Sequence, residues 1–123
     1  MEIMKLLLVD DDAFIRDMYA TKFAENGHDV EVAKNGEVAL ELLERGTFDG
    51  VLLDMVMPGM TGVELITKIK EKDPTGGPAC IVLSNQGEEH EIELAMQAGA
   101  KGYIIKAELI PSEVVAQVKE LLQ

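Results

Sequence analysis

A lone cysteine, Cys80, leaves no intrachain disulfide to form, so nothing in this sequence calls for an oxidising compartment. A buried core thiol is the expected role for it. Basic residues are also scarce: 11 against 23 acidic ones give a net charge of −12, which repels nucleic-acid phosphates and anionic lipid surfaces. Direct nucleic-acid binding is thereby disfavoured. No apolar run approaches the roughly 18 residues of a membrane span, and Ile3 to Val9 is too short and poorly flanked for a signal peptide. No membrane association and a cytoplasmic location are expected. His28 and His90 have no ligand partners at helical spacing, so ordinary surface roles are expected for both. Met55, Met57 and Met60 are read as loop and packing residues, because thioethers suit only soft metals.

What is present is a repeating pattern. The 123 residues, 47% of them hydrophobic, suffice for one core, and a single domain over 1–123 is expected. Strand-length apolar runs occur at Met4 to Val9, Asp29 to Ala33, Gly50 to Leu53, Ala79 to Leu83 and Gly102 to Ile105. The first, third and fourth are continuously apolar, as in strands buried on both faces. Between the runs lie amphipathic helical stretches. Ile15, Met18, Tyr19 and Phe23 share one face; so do Val38, Ala39, Leu42 and Leu43, then Ile92, Ala95 and Met96, and finally Val114, Val115, Val118, Leu121 and Leu122. A third helix is read from Gly62 to Glu71 on Leu65, Ile66 and Ile69. Asn35 suits a helix N-cap, Gly27 and Gly99 suit helix ends, and Pro111 suits a first turn. Lys72 to Pro78 is the obvious loop. Strand and helix alternate, so the fold class is α/β, a doubly wound five-stranded parallel sheet with right-handed crossovers. In such folds ligands bind outside the carboxyl ends of the strands.

Polar residues of a particular kind stand at those ends. Asp10, Asp11 and Asp12 follow the first strand, Asp54 the third, Ser84 the fourth and Lys106 the fifth. Several carboxylates in one crevice repel one another unless a cation compensates them. A hard divalent ion such as Mg²⁺, which takes oxygen ligands and keeps open positions for a phosphate, is the natural compensator. Lys106 and Ser84 add a cation and a hydroxyl donor suited to phosphoryl oxygens, and Asp54 is the best acceptor for a phosphoryl group.

The segments Leu8-Val9-Asp10-Asp11-Asp12, Asp54-Met55-Val56-Met57-Pro58-Gly59-Met60-Thr61-Gly62, Ile81-Val82-Leu83-Ser84 and Gly99-Ala100-Lys101-Gly102-Tyr103-Ile104-Ile105-Lys106 resemble the receiver domain of bacterial two-component response regulators. The resemblance covers essentially the whole chain. It implies the flavodoxin-like (βα)5 strand order 2-1-3-4-5, with Asp54 as phosphoacceptor and Asp10, Asp11, Asp54 and the Val56 backbone carbonyl around Mg²⁺. Ser84 and Lys106 would contact the phosphoryl group, with Ser84 and Tyr103 as switch residues. The implied donor is a phosphohistidine on a sensor histidine kinase or phosphotransfer protein. The implied output is a partner bound at the face of the fourth helix, fifth strand and fifth helix.

This sequence departs from the usual pattern at Asn85, where a small residue is general, and at Ala107, where Pro is usual. Val56 and Gln86 occupy positions that in the receiver family influence how water reaches the phosphoryl group. A trans Lys106–Ala107 bond is expected, since a cis bond before a residue other than Pro costs about 3 kcal/mol. A metal-dependent phosphatase would want a second acid where Val56 stands, and a flavodoxin-like carrier would want a Ser/Thr/Gly-rich loop where three aspartates stand. A degenerate receiver serving only as an interaction module is disfavoured by the intact set of reacting groups. The expectation is a stand-alone receiver that is not an enzyme in the ordinary sense, either a single-domain regulator or the receiver portion of a longer one.

Overall fold

In a computed structural model describing residues 3–123, five strands alternate with five α-helices. They are β1 (Lys5–Val9), α1 (Ala13–Glu25), β2 (Asp29–Ala33), α2 (Gly36–Arg45), β3 (Gly50–Leu53), α3 (Gly62–Lys72), β4 (Ala79–Ser84), α4 (Glu89–Ala98), β5 (Gly102–Ile105) and α5 (Pro111–Leu122). A 3₁₀ turn over Lys106–Glu108 joins β5 to α5. The sheet is parallel throughout, in the expected order β2-β1-β3-β4-β5.

The continuous apolar strands are explained by two cores, one on each face. Alternate residues point opposite ways along a strand. Leu7, Val9, Val51, Leu53, Cys80 and Val82 pack against Ala39 of α2, Leu65, Ile66 and Ile69 of α3 and Ala95 of α4. Their neighbours Leu6, Leu8, Leu52, Ile81, Leu83 and Ile104 pack against Tyr19 and Phe23 of α1 and Val114, Val115 and Val118 of α5. β2, at the sheet edge, buries fully only Ala33.

Local signals set where the helices begin and end. Asp12 caps α1, accepting from the Phe14 and Ile15 amides at 2.9 and 3.2 Å, and Asn35 caps α2, accepting from the Val38 amide at 2.9 Å. Gly99 ends α4 at φ 119°, a left-handed conformation that favours glycine. Pro111 opens α5. Thr61 and Glu64 form a reciprocal capping box on α3, which the sequence reading did not include.

The differences from expectation are small, with one exception. β1 starts at Lys5 and not Met4, β4 continues to Ser84, and α3 runs to Lys72. There is no cis peptide bond among the described residues, so Lys106–Ala107 is trans as expected. The exception is His28, which is buried and not on the surface: its Nδ1 accepts from the Met4 amide at 3.3 Å, and its ring lies 6.3 Å from that of Phe23. With β1 starting at Lys5, the Met4 amide lies before the ladder, and the imidazole satisfies it.

Candidate phosphoacceptor site

The strand order turns between β1 and β3, because β2 lies on one side of β1 and β3 on the other. Val9 and Leu53 are register partners, so the next residues, Asp10 and Asp54, emerge side by side at the carboxyl edge. Lys106 leaves the end of β5 and reaches both. Its ammonium lies 3.3 Å from Asp10 Oδ2 and 3.7 Å from Asp54 Oδ2. Lys106 and Asp10 are 8% and 6% exposed, a burial that charged groups sustain only when paired. One ammonium between two carboxylates still leaves the crevice negative.

The two carboxylates are held differently. Asp10 Oδ1 accepts from the Asp12 amide at 2.9 Å, whereas Asp54 Oδ1 accepts from the Val56 amide at only 3.4 Å. Asp54 is also half-buried, whereas Asp10 is buried. Asp11 is exposed beside them. The loop after Asp54 is shaped by Gly62, where a Cβ would collide with the Asp54 carbonyl and lie 2.9 Å from Met55 Cα. The glycine at this place in the motif is required because α3 begins directly against the backbone of Asp54 and Met55. Met55 and Met57 are buried as packing residues, and Val56 is 75% exposed at the mouth.

Ser84 is buried at the end of β4, where its Oγ meets the Gln86 amide at 3.5 Å. Tyr103 donates its hydroxyl to the Gln86 carbonyl at 2.7 Å. Gly87 lets the loop lie flat here, since a Cβ would come within 2.9 Å of Ile105 and 3.0 Å of the Tyr103 ring. Burial pushes the Tyr103 phenol above its usual pKa, the Ser84 hydroxyl opposes this, and the charges of Glu91 and Asp54 add to it. Asp10, Asp54 and Lys106 are thus in direct contact, while Ser84 and Tyr103 are linked to each other through Gln86. Sequence reasoning missed Arg16, whose Nη1 donates to the Asp10 carbonyl at 3.1 Å. Its place one turn into α1 is the only signal in the sequence.

Among the described residues, no three His, Cys, Asp or Glu side chains converge tightly enough to hold an ion alone. Mg²⁺ does not require that, since one or two carboxylates with water and a carbonyl complete its octahedron. The donors at this edge are all oxygen, which fits a hard cation.

The family model for the response regulator receiver domain matches residues 6–119. Over 119 residues the chain is 36% identical to the transcriptional regulatory protein ResD of Bacillus subtilis and 34% identical to SrrA of Staphylococcus aureus. Each alignment covers 97% of this chain and 48% of the relative, so the chain spans about half the length of these curated relatives. Among solved structures, the chemotaxis protein CheY4 of Vibrio cholerae superposes with a TM-score of 0.90 at 25% identity, covering 98% of this chain and 99% of that one. A CheY-like receiver domain protein from Methanospirillum hungatei gives 0.88 at 29%, over 98% and 94%. The BeF3-activated DrrB receiver domain gives 0.82 at 28%, over 98% of each chain. With the fold, the strand-end carboxylates and the sequence match in agreement, the chain belongs to the response regulator receiver family.

Proposed function

We propose that this domain, spanning 1–123, accepts a phosphoryl group on Asp54 from a phosphohistidine and changes a partner-binding surface in response. The observation that carries the reading is the buried Lys106 ammonium reaching both Asp10 and Asp54, 3.3 and 3.7 Å away. Receiver domains work with histidine kinases or phosphotransfer proteins and with output domains, and they are signalling modules.

Asp54 combines partial exposure with loose hydrogen bonding, so one Oδ can approach phosphorus in line with the leaving nitrogen. As the O–P bond forms, the P–N bond breaks and its electron pair stays on the donor imidazole. Charge on the equatorial oxygens would be met by Lys106 and by the Ser84 hydroxyl. Mg²⁺, when bound by Asp10, Asp11, Asp54 and the Val56 carbonyl, would neutralise the remaining charge on the transferring group. Ser84 drawn toward the phosphoryl group would pull on the Gln86 segment to which Tyr103 is bonded. That couples the site to α4, β5 and α5, the face proposed for the output partner, where Leu94 and Met96 are exposed.

Intact-mass measurement after treatment with a small acyl phosphate and Mg²⁺ tests this. One phosphoryl group on the wild type and none on Asp54→Asn is the expected result. Equal labelling of the variant would overturn the assignment.

A further inference from the structure

Asp10 is held at all of its polar atoms. Its amide donates to the Ala33 carbonyl at 3.1 Å, Oδ1 accepts from Asp12, Oδ2 pairs with Lys106, and its carbonyl accepts from Arg16 Nη1 at 3.1 Å. The first three partners belong to the sheet edge, the loop and the site itself. Only Arg16 comes from a helix. Its Nε, meanwhile, is buried without a hydrogen-bond partner. Among the described residues, the Asp10 carbonyl is the hydrogen-bond partner of this guanidinium.

We infer that Arg16 is a positioning residue for Asp10: by holding the peptide at the end of β1 it fixes the direction in which the Asp10 carboxylate meets Lys106 and Mg²⁺. The inference rests on the proposed function, which places Mg²⁺ at Asp10. Two effects of removing Arg16 oppose each other. Losing a positive charge near the site favours a cation, whereas losing the outer partner of a ligand disfavours it, by about 10- to 100-fold in known metal sites. The guanidinium is bonded to the main chain of Asp10 and not to its carboxylate, so positioning is the dominant effect and the sign of the change reports it.

The test is a Mg²⁺ titration followed by backbone amide shifts, with no phosphodonor present. Arg16→Met is expected to bind Mg²⁺ about tenfold more weakly than the wild type. Arg16→Gln, whose shorter stem leaves its amide short of the carbonyl, should behave alike and serves if Arg16→Met does not fold. Arg16→Lys, which keeps the charge and a donor, should fall between wild type and Arg16→Met. Phe23→Leu, a core change in the same helix, should lower stability and leave the Mg²⁺ midpoint where it is. Unchanged or tighter binding by both neutral variants, with the wild type binding normally, overturns the inference alone. A wild type that shows no Mg²⁺-dependent shifts around Asp10, Asp11 and Asp54 overturns the metal assignment beneath it as well.

Discussion

Gly62 and Val56 flank the loop after Asp54 and act in different ways. Adding a methyl group at Gly62 drives it into the Asp54 carbonyl and the Met55 backbone, neither of which can move without shifting Asp54. Gly62→Ala is therefore expected to cost about 1–3 kcal/mol in urea unfolding, as overpacking does, and to slow labelling of Asp54 in the folded fraction. Labelling at the wild-type rate would show that the loop yields without moving Asp54. Val56 presents an apolar, exposed side chain where a polar one could orient water. The aspartyl phosphate is expected to be long-lived for a receiver, and the exposed Asn85, next to Ser84 in the chain, is expected to add to this by crowding the approach of water. Val56→Asn should hasten the loss of phosphate, followed by intact mass over time. Decay that is unchanged or slower counts against this account.

Among the elements, the segment between β4 and α4 is where the proposed coupling would run. Ser84, Gln86 and Tyr103 are joined by one long hydrogen bond and one short one, and Gly87 leaves room for the Tyr103 ring, which a Cβ there would crowd. Tyr103→Phe removes only the hydroxyl donor, leaving the Gln86 carbonyl to solvent because Gln86 is exposed. A stability change within about 1 kcal/mol is expected. Coupling should suffer more: amide shifts induced by a phosphoryl mimic in α4 and β5 should shrink, while those at Asp54 persist. Full-sized changes in α4 and β5 would remove Tyr103 from the pathway. Changes confined to α1 and α2 in the wild type would refute the α4–β5–α5 output face.

For the whole molecule, two apolar cores lie on opposite faces of the sheet. Cys80 lies on the α2–α3–α4 side, fully buried, and burial pushes its thiol up to about 11 against a smaller opposing pull from Lys70. Native protein at pH 8 should resist alkylation, with one label added once urea is present, as mass measurement would show. Rapid labelling without urea would mean that this core opens. The raised pKa also has a stability consequence with a definite sign. The thiol stays protonated in the folded state at pH values where the unfolded chain ionises. Its contribution is complete below the unfolded value near 9 and is lost as pH rises through about 11, an effect on the order of 2–3 kcal/mol. The stability difference between wild type and Cys80→Ala should shift accordingly over that range.

The α/β alternation, the both-sided burial of the central strands and the line of Asp10, Asp54, Ser84 and Lys106 at strand ends could all be read from the order of residues. Those features depend on local periodicity, and parallel crossovers leave only one edge on which the polar groups can gather. The helix cap at Asn35 was legible for the same reason, since a cap acts within three residues. Only the tertiary structure decided the rest. Lys106 and Asp10 meet across 96 positions, His28 is drawn inside by an amide 24 positions away, and the Tyr103 hydroxyl finds Gln86 across 17. Periodicity places a residue on a face of its own element, but it does not say which backbone carbonyl of another element lies opposite. The bond from Arg16 to Asp10 and the fit of Gly62 against Asp54 are of that kind, because each depends on how closely a helix packs at a strand end.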